Sequence, residues 1–130
     1  MTINIYPAGP DDAYAMSEAG FAAFENDVLS NAQYQLKTAP PERLEEYRKY
    51  RIALTHLRME GKGKYWFKAV DDSNGRLVGY TGLYSPEAEP VPFWTLPRPE
   101  YGNLDVDNEV HEKLDKCKEK NIGDRKDIWC

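Results

Sequence analysis

Asn74-Gly75 constrains the fold of this chain more than any other pair of residues. It completes the run Asp72-Ser73-Asn74-Gly75, and Asn-Gly supplies the positive φ angles that a tight hairpin turn requires. Tyr65–Val70, aromatic and β-branched, precedes the turn and reads as a strand. Arg76–Tyr84 follows as the return strand. Its Gly79 and Gly82 predict a bulge or a close backbone approach. The chain is therefore built around an antiparallel hairpin, and its other elements have to cover that hairpin.

Thr2–Tyr6 alternates polar and apolar residues, as a short strand does. Gly9 is a candidate N-cap, and Pro10 suits the first helical position, where a missing N–H costs nothing. Asp11 and Asp12 then sit where a helix dipole favours negative charge. Ala13, Met16, Gly20, Ala23 and Phe24 recur at helical spacing and carry this first helix to about Phe24. Glu25–Thr38 has no clean period and reads as a loop, with room for one short helical turn. A second helix starts at Pro40-Pro41, with Thr38 as a candidate cap. Leu44, Tyr47, Leu54 and Leu57 mark its buried stripe, and Gly61 and Gly63 end it.

Pro86, Pro90, Pro92, Pro97 and Pro99 forbid regular structure over most of residues 85–103. Phe93, Trp94, Leu96 and Tyr101 predict that this proline-rich insertion lies on a core. Residues 106–120 form a charged helix anchored by Val106, Val110, Leu114 and Cys117. Asp127-Ile128-Trp129-Cys130 reads as the start of a further strand. The fold class is therefore α/β of the mixed α+β kind, a single domain over residues 1–130: strand, two helices, hairpin, irregular segment, helix.

Composition narrows the functions available. A formal net charge of −5 argues against nucleic acid as the main partner. No apolar run approaches the roughly 20 residues of a membrane span. The N-terminus has no apolar signal core, so the expectation is a cytoplasmic protein with Cys117 and Cys130 as free thiols. Residues 41–70 hold eight Lys/Arg against four Asp/Glu. Glu45 with Lys49, and Glu45 with Arg48, have ion-pair spacing, so this basic block reads as the solvated face of a helix rather than a phosphate-binding surface. His56 and His111 have no partner at metal-ligand spacing, and no nucleophile motif is present.

Several segments, taken in order, carry a resemblance. Ile3-Asn4-Ile5-Tyr6-Pro7-Ala8-Gly9-Pro10-Asp11-Asp12-Ala13 resembles a family start of the form I-x-I-R-P-A-x-x-x-D-A, with Tyr6 in place of Arg. Ala22-Ala23-Phe24 resembles the end of a first helix. Gly75-Arg76-Leu77-Val78-Gly79-Tyr80 resembles a third strand opening as G-x-x-V-G-Y, and Gly123–Trp129 resembles the approach to a fourth strand. Together they resemble the N-terminal half of a fungal-type GNAT N-acetyltransferase. That likeness implies an acyltransferase that moves an acetyl group from acetyl-CoA to a small-molecule or peptide amine. It also implies that the Phe24–Tyr34 loop and the end of the third strand line the acceptor pocket. Phe24, Tyr34, Leu83 and Tyr84 would form its wall, and Glu25 and Asp27 would hold an ammonium group.

The family's pyrophosphate loop, Arg/Gln-x-x-Gly-x-Gly/Ala, lies between a fourth strand and a helix N-terminus. The string Arg58-Met59-Glu60-Gly61-Lys62-Gly63 satisfies that pattern. It follows a helix and precedes a strand, however, so the expectation is a helix end and no cofactor-binding residue. The chain is accordingly expected to be a truncated acetyltransferase, inactive alone. The alternative is a non-catalytic half-domain that pairs with another chain or forms a homodimer.

Overall fold

A computed structural model describes residues 1–125. Among them, three strands form one antiparallel sheet of order β1-β2-β3, accompanied by four helices. The strands are β1 (Ile3–Pro7), β2 (Lys64–Asp71) and β3 (Arg76–Tyr84). The helices are α1 (Ala13–Phe24), α2 (Val28–Tyr34), α3 (Pro41–Met59) and α4 (Leu104–Asn121). The strand start read at Asp127–Cys130 lies outside the described residues, as does the side chain of Trp94.

The hairpin closes as the turn residues demand. Gly75 takes φ 71°, and its N–H donates to the Asp71 carbonyl at 2.8 Å. The Asp71 carboxylate also accepts from the Ser73 hydroxyl and backbone N–H, which fixes the tip. The bulge expected from Gly79 is present: Ala69 faces Gly79 but Val70 faces Leu77, leaving Val78 as the extra residue. β1 reaches the far side of β2 with Ile3 opposite Asp71 and Pro7 opposite Phe67. Side chains of Asn4 and Tyr6 hydrogen-bond to Asp72 and fasten β1 to the hairpin tip.

Three helices precede the hairpin, not two. The segment read as a loop contains α2 because Asp27 caps it, its carboxylate accepting from the Ser30 N–H at 2.7 Å. Gln35 then ends α2 in the left-handed region at φ 52°. Thr38 does not cap α3; its N–H and hydroxyl both turn back to the Gln35 carbonyl. Pro40 occupies the N-cap without a side-chain bond, and Pro41 sets the start. α4 begins two residues earlier than the sequence suggested, since Asn103 accepts from the Val106 N–H. The proline-rich segment holds a single 3-10 turn, Phe93–Thr95, and rests on the body through buried Val91 and Pro99.

α1 and α3 pack side by side on the face of the sheet that carries Trp66, Tyr80 and Tyr84. Met16 is fully buried there, with Ala13, Tyr47 and Leu54. A buried hydrogen bond between the Ser17 and Thr55 hydroxyls, 3.2 Å, joins the two helices. Gly20 lets α1 approach β3: a Cβ there would stand 2.7 Å from the Tyr80 hydroxyl. The opposite face carries Ile3, Ile5, Tyr65 and Leu83, all exposed, with Ile5 at 64%. No described helix covers it, and β3 has no strand on its outer edge among the described residues.

Three carboxylates tie this fold to pH. The hydrogen bond from Lys68 Nζ at 2.5 Å, above all, holds Asp12 below the usual Asp value. The Ser30 N–H does the same for Asp27, and the Ser73 hydroxyl for Asp71. Each value is lower folded than unfolded, so the stabilisation is present above the unfolded value near 4 and is lost as pH falls through the depressed ones. Urea midpoints are therefore expected to stay level from pH 7 to about 5 and to drop below about pH 4. A midpoint that rises on acidification would remove these three contacts from the account.

Candidate functional site

One face of α3 turns inward with an unusual set of groups. Tyr47, Tyr50, Arg51, Leu54 and Arg58 recur at three-, four- and seven-residue steps and line a cavity of about 190 Å³. α2 closes one side with Ser30, Gln33 and Tyr34. The proline-rich segment contributes Phe93 and Arg98, and the first turns of α4 contribute Asp107 and His111. Wider hollows lie beside the proline-rich segment and between α1 and β3, but the latter is walled mostly by Ala and aliphatic side chains. The α2–α3 cavity brings three arginines and three tyrosines together.

Tyr34 stacks on Tyr47 with ring centroids 4.7 Å apart, and lies 6.4 Å from Tyr50. Burial, then the neighbouring Tyr50 and Tyr47, push the Tyr34 hydroxyl up to about 12. Burial also raises Tyr47, opposed by the charge of Arg51. At neutral pH these phenols are hydrogen-bond donors. Tyr101, whose hydroxyl donates to the Arg43 carbonyl, is raised to about 12 by burial and then by Glu46.

The raised tyrosines make a spectroscopic prediction. A phenol whose folded value exceeds the unfolded value near 10 adds stability below pH 10 and loses it as pH rises toward 12. In an ultraviolet titration Tyr34 and Tyr101 are expected to ionise last, together with unfolding. Full ionisation of all nine tyrosines near pH 10 would show that the cavity is open to water.

The arginines are unevenly compensated. Arg98 is spent on Asp107, whose carboxylate also accepts from Gln33 Nε2 at 2.9 Å. Arg51 and Arg58 have no carboxylate within ion-pair distance among the described residues. Arg51 lies 6.0 Å from the Tyr47 ring centre, and Arg58 5.6 Å from that of Phe93. Burial, reinforced by the like charge of Arg51, lowers the Arg58 guanidinium from its ordinary value. Such a cavity repels an ammonium group and attracts an anion.

The residues expected at an acceptor pocket divide. Tyr34 lines the cavity, and Tyr84 lies behind it, its hydroxyl donating to the Arg58 carbonyl at 3.3 Å. Phe24 and Glu25 end α1 in solvent. The Asp27 carboxylate is occupied as the α2 cap. Leu83 points to the uncovered sheet face, opposite Tyr65. Tyr47, Tyr50, Arg51, Arg58 and Arg98 join Tyr34 in the cavity, outside the set that the resemblance implies. The basic block read as a solvated face does include the exposed Glu45–Lys49 pair, and Arg48 bonds outward to Glu18. The signal that was available is the shared helical face of Tyr47, Arg51, Leu54 and Arg58.

The Arg58–Gly63 string stands at the C-terminal end of α3, with Gly61 at φ 93° and Gly63 at φ 74°. Carbonyls, not N–H groups, face that end of a helix, so its backbone offers an anion no cradle. No helix is long and apolar enough to cross a membrane, and no metal-binding cluster of His, Cys, Asp and Glu occurs, among the described residues. No family model, curated protein or solved structure matches this chain.

Proposed function

We propose that this chain forms the acceptor-binding part of a GNAT-type N-acetyltransferase acting in the cytoplasm, with the α2–α3 cavity as its acceptor pocket. The observation that carries the reading is topological. β1, the helices and the β2–β3 hairpin follow the family's opening order with α2 as one helix more; every helix that packs on the sheet lies on one face, and among the described residues β3 is free at its outer edge. In that family the fourth strand, which joins there, and the helix after it hold acetyl-CoA. The amine would attack the thioester directly, so the chain's own part is to bind and orient the acceptor.

Calorimetric titration with acetyl-CoA tests the division of labour. The 130-residue chain is expected to give no saturable heat, while a polypeptide that extends the sheet beyond β3 binds the cofactor and releases CoA thiol with an amine present. Saturable micromolar binding to the 130 residues would overturn the reading, as would an extended chain that binds acetyl-CoA and acetylates no amine. The bare apolar face of Ile3, Ile5, Tyr65 and Leu83 supports a second reading, an interaction module that pairs with a second copy. A stable dimer by light scattering, with no acetyl-CoA binding in any form, would favour it.

A further inference from the structure

We propose that the α2–α3 cavity binds an oxyanion, a carboxylate or phosphate group carried by a small molecule, between Arg51 and Arg58. The cavity holds three guanidinium groups and one carboxylate, and that carboxylate is already bonded to Arg98 and Gln33. Two cations are left converging on one hollow without a counter-charge among the described residues. Arg51 and Arg58 are both half-buried, and taking charge partly out of water without a counter-charge is unfavourable, so a ligand that supplies the missing charge would be held there. Tyr34, Tyr47 and Tyr50 line the same hollow and add neutral O–H donors to the guanidinium N–H donors. Such a donor set matches the several lone pairs of a carboxylate or phosphate.

Size narrows the ligand further. About 190 Å³ is below the roughly 300–1,000 Å³ of sites that enclose a drug-sized molecule. The cavity takes an anionic group and a few attached atoms, leaving the rest of the molecule outside. Calling that molecule the acetyl acceptor rests on the acyl-transfer reading above. It then specifies the acceptor as an amine that also carries an acidic group, held by that group rather than by its ammonium. The anion site itself rests only on the charges in the cavity.

The test titrates the 130-residue chain with inorganic phosphate and, separately, with acetate, at constant ionic strength, by calorimetry and thermal shift. Saturable binding of at least one anion is expected, weakened at least about tenfold in Arg51→Gln and in Arg58→Met. The exposed control Lys49→Gln is expected to bind within about twofold of the wild type. Preference for phosphate or for acetate identifies which acid the acceptor carries. Without added anion, Arg58→Met is expected to melt no lower than the wild type, because the charge removed has no carboxylate partner among the described residues and the Met thioether can still pack on Phe93. Should Arg58→Met fail to fold, Arg51→Gln carries the affinity test. Absence of saturable binding of either anion, or an equal loss in Lys49→Gln, overturns the proposal. Neither result depends on acetyl-CoA, so failure here and failure of the acyl-transfer reading are separable.

Discussion

Met16→Ala is expected to destabilise the chain by about 2–5 kcal/mol, the range for emptying a fully buried site of this size. Among the described residues Met16 is the one large side chain with no exposure, in a core that also holds Ala13, Leu36, Tyr47, Leu54 and Val91. α1 carries Met16 toward α3 and β3 together, so the vacated space adjoins three elements. Closing it requires α1 to move, and the Ser17–Thr55 hydrogen bond one residue on resists that. Domains as a class have roughly 5–15 kcal/mol in total, so the loss would lower the melting temperature by roughly 10–20 °C. Met16→Leu, which nearly conserves volume, should cost less than about 1.5 kcal/mol. Urea denaturation of the two variants decides the matter. A loss under about 1 kcal/mol for Met16→Ala would show that α1 is not seated on Met16.

The second large effect separates two glycines of one strand. A Cβ at Gly82 would meet three atoms of the Trp66 indole at 2.9–3.1 Å, whereas a Cβ at Gly79 would find only the Ala69 Cβ, at 4.0 Å. Trp66 is wedged between Tyr80 and Tyr84, with ring centroids 6.3 and 6.2 Å away. Its indole N–H is buried and has no acceptor among the described residues, so packing holds the ring. An Ala at position 82 forces the ring to tilt; a Val blocks the tilt as well. Gly82→Val is expected to cost about 1–3 kcal/mol through overpacking, with Gly82→Ala at the lower end. Gly79→Ala should lie near neutrality or gain a few tenths of a kcal/mol from the unfolded chain. Trp fluorescence should shift in the Gly82 variants and not in Gly79→Ala. Equal costs at the two positions would mean that β3 does not present Gly82 to Trp66.

These contrasts follow how far the sequence could be read. The hairpin was legible because Asn74-Gly75 and its flanking strands are local, and local geometry decides a turn. α1 was legible through Ala13, Met16 and Gly20 at helical spacing. α2 was half legible: Asp27 and Ser30 have cap spacing, but seven residues of mixed polarity show no period. The cavity was the hardest to read. Neighbour rules along α3 identify Glu45 and Lys49, which do pair on the solvent side. They say nothing of Arg51 and Arg58, whose surroundings come from α2 and from Phe93 and Arg98, far off in the chain. The family resemblance implies an acceptor role for Tyr34 in a loop, whereas α2 is what delivers it to the cavity. Glu25 and Asp27, to which the resemblance gives an ammonium, lie in solvent and in the α2 cap.

The register that sets β1 against β2 has a kinetic consequence. Asn4 and its partner Asp72 are 68 residues apart, with three helices between them. The β2–β3 hairpin needs only a short loop to close, on the order of microseconds, while β1 can close only after a long segment has been ordered. During synthesis the difference grows. At about 5–20 residues per second, β1 leaves the ribosome roughly 3–14 s before its pairing strand exists. Its Ile3 and Ile5 wait through that interval unpaired, so β1 finds its place only after three helices and β2 have followed it.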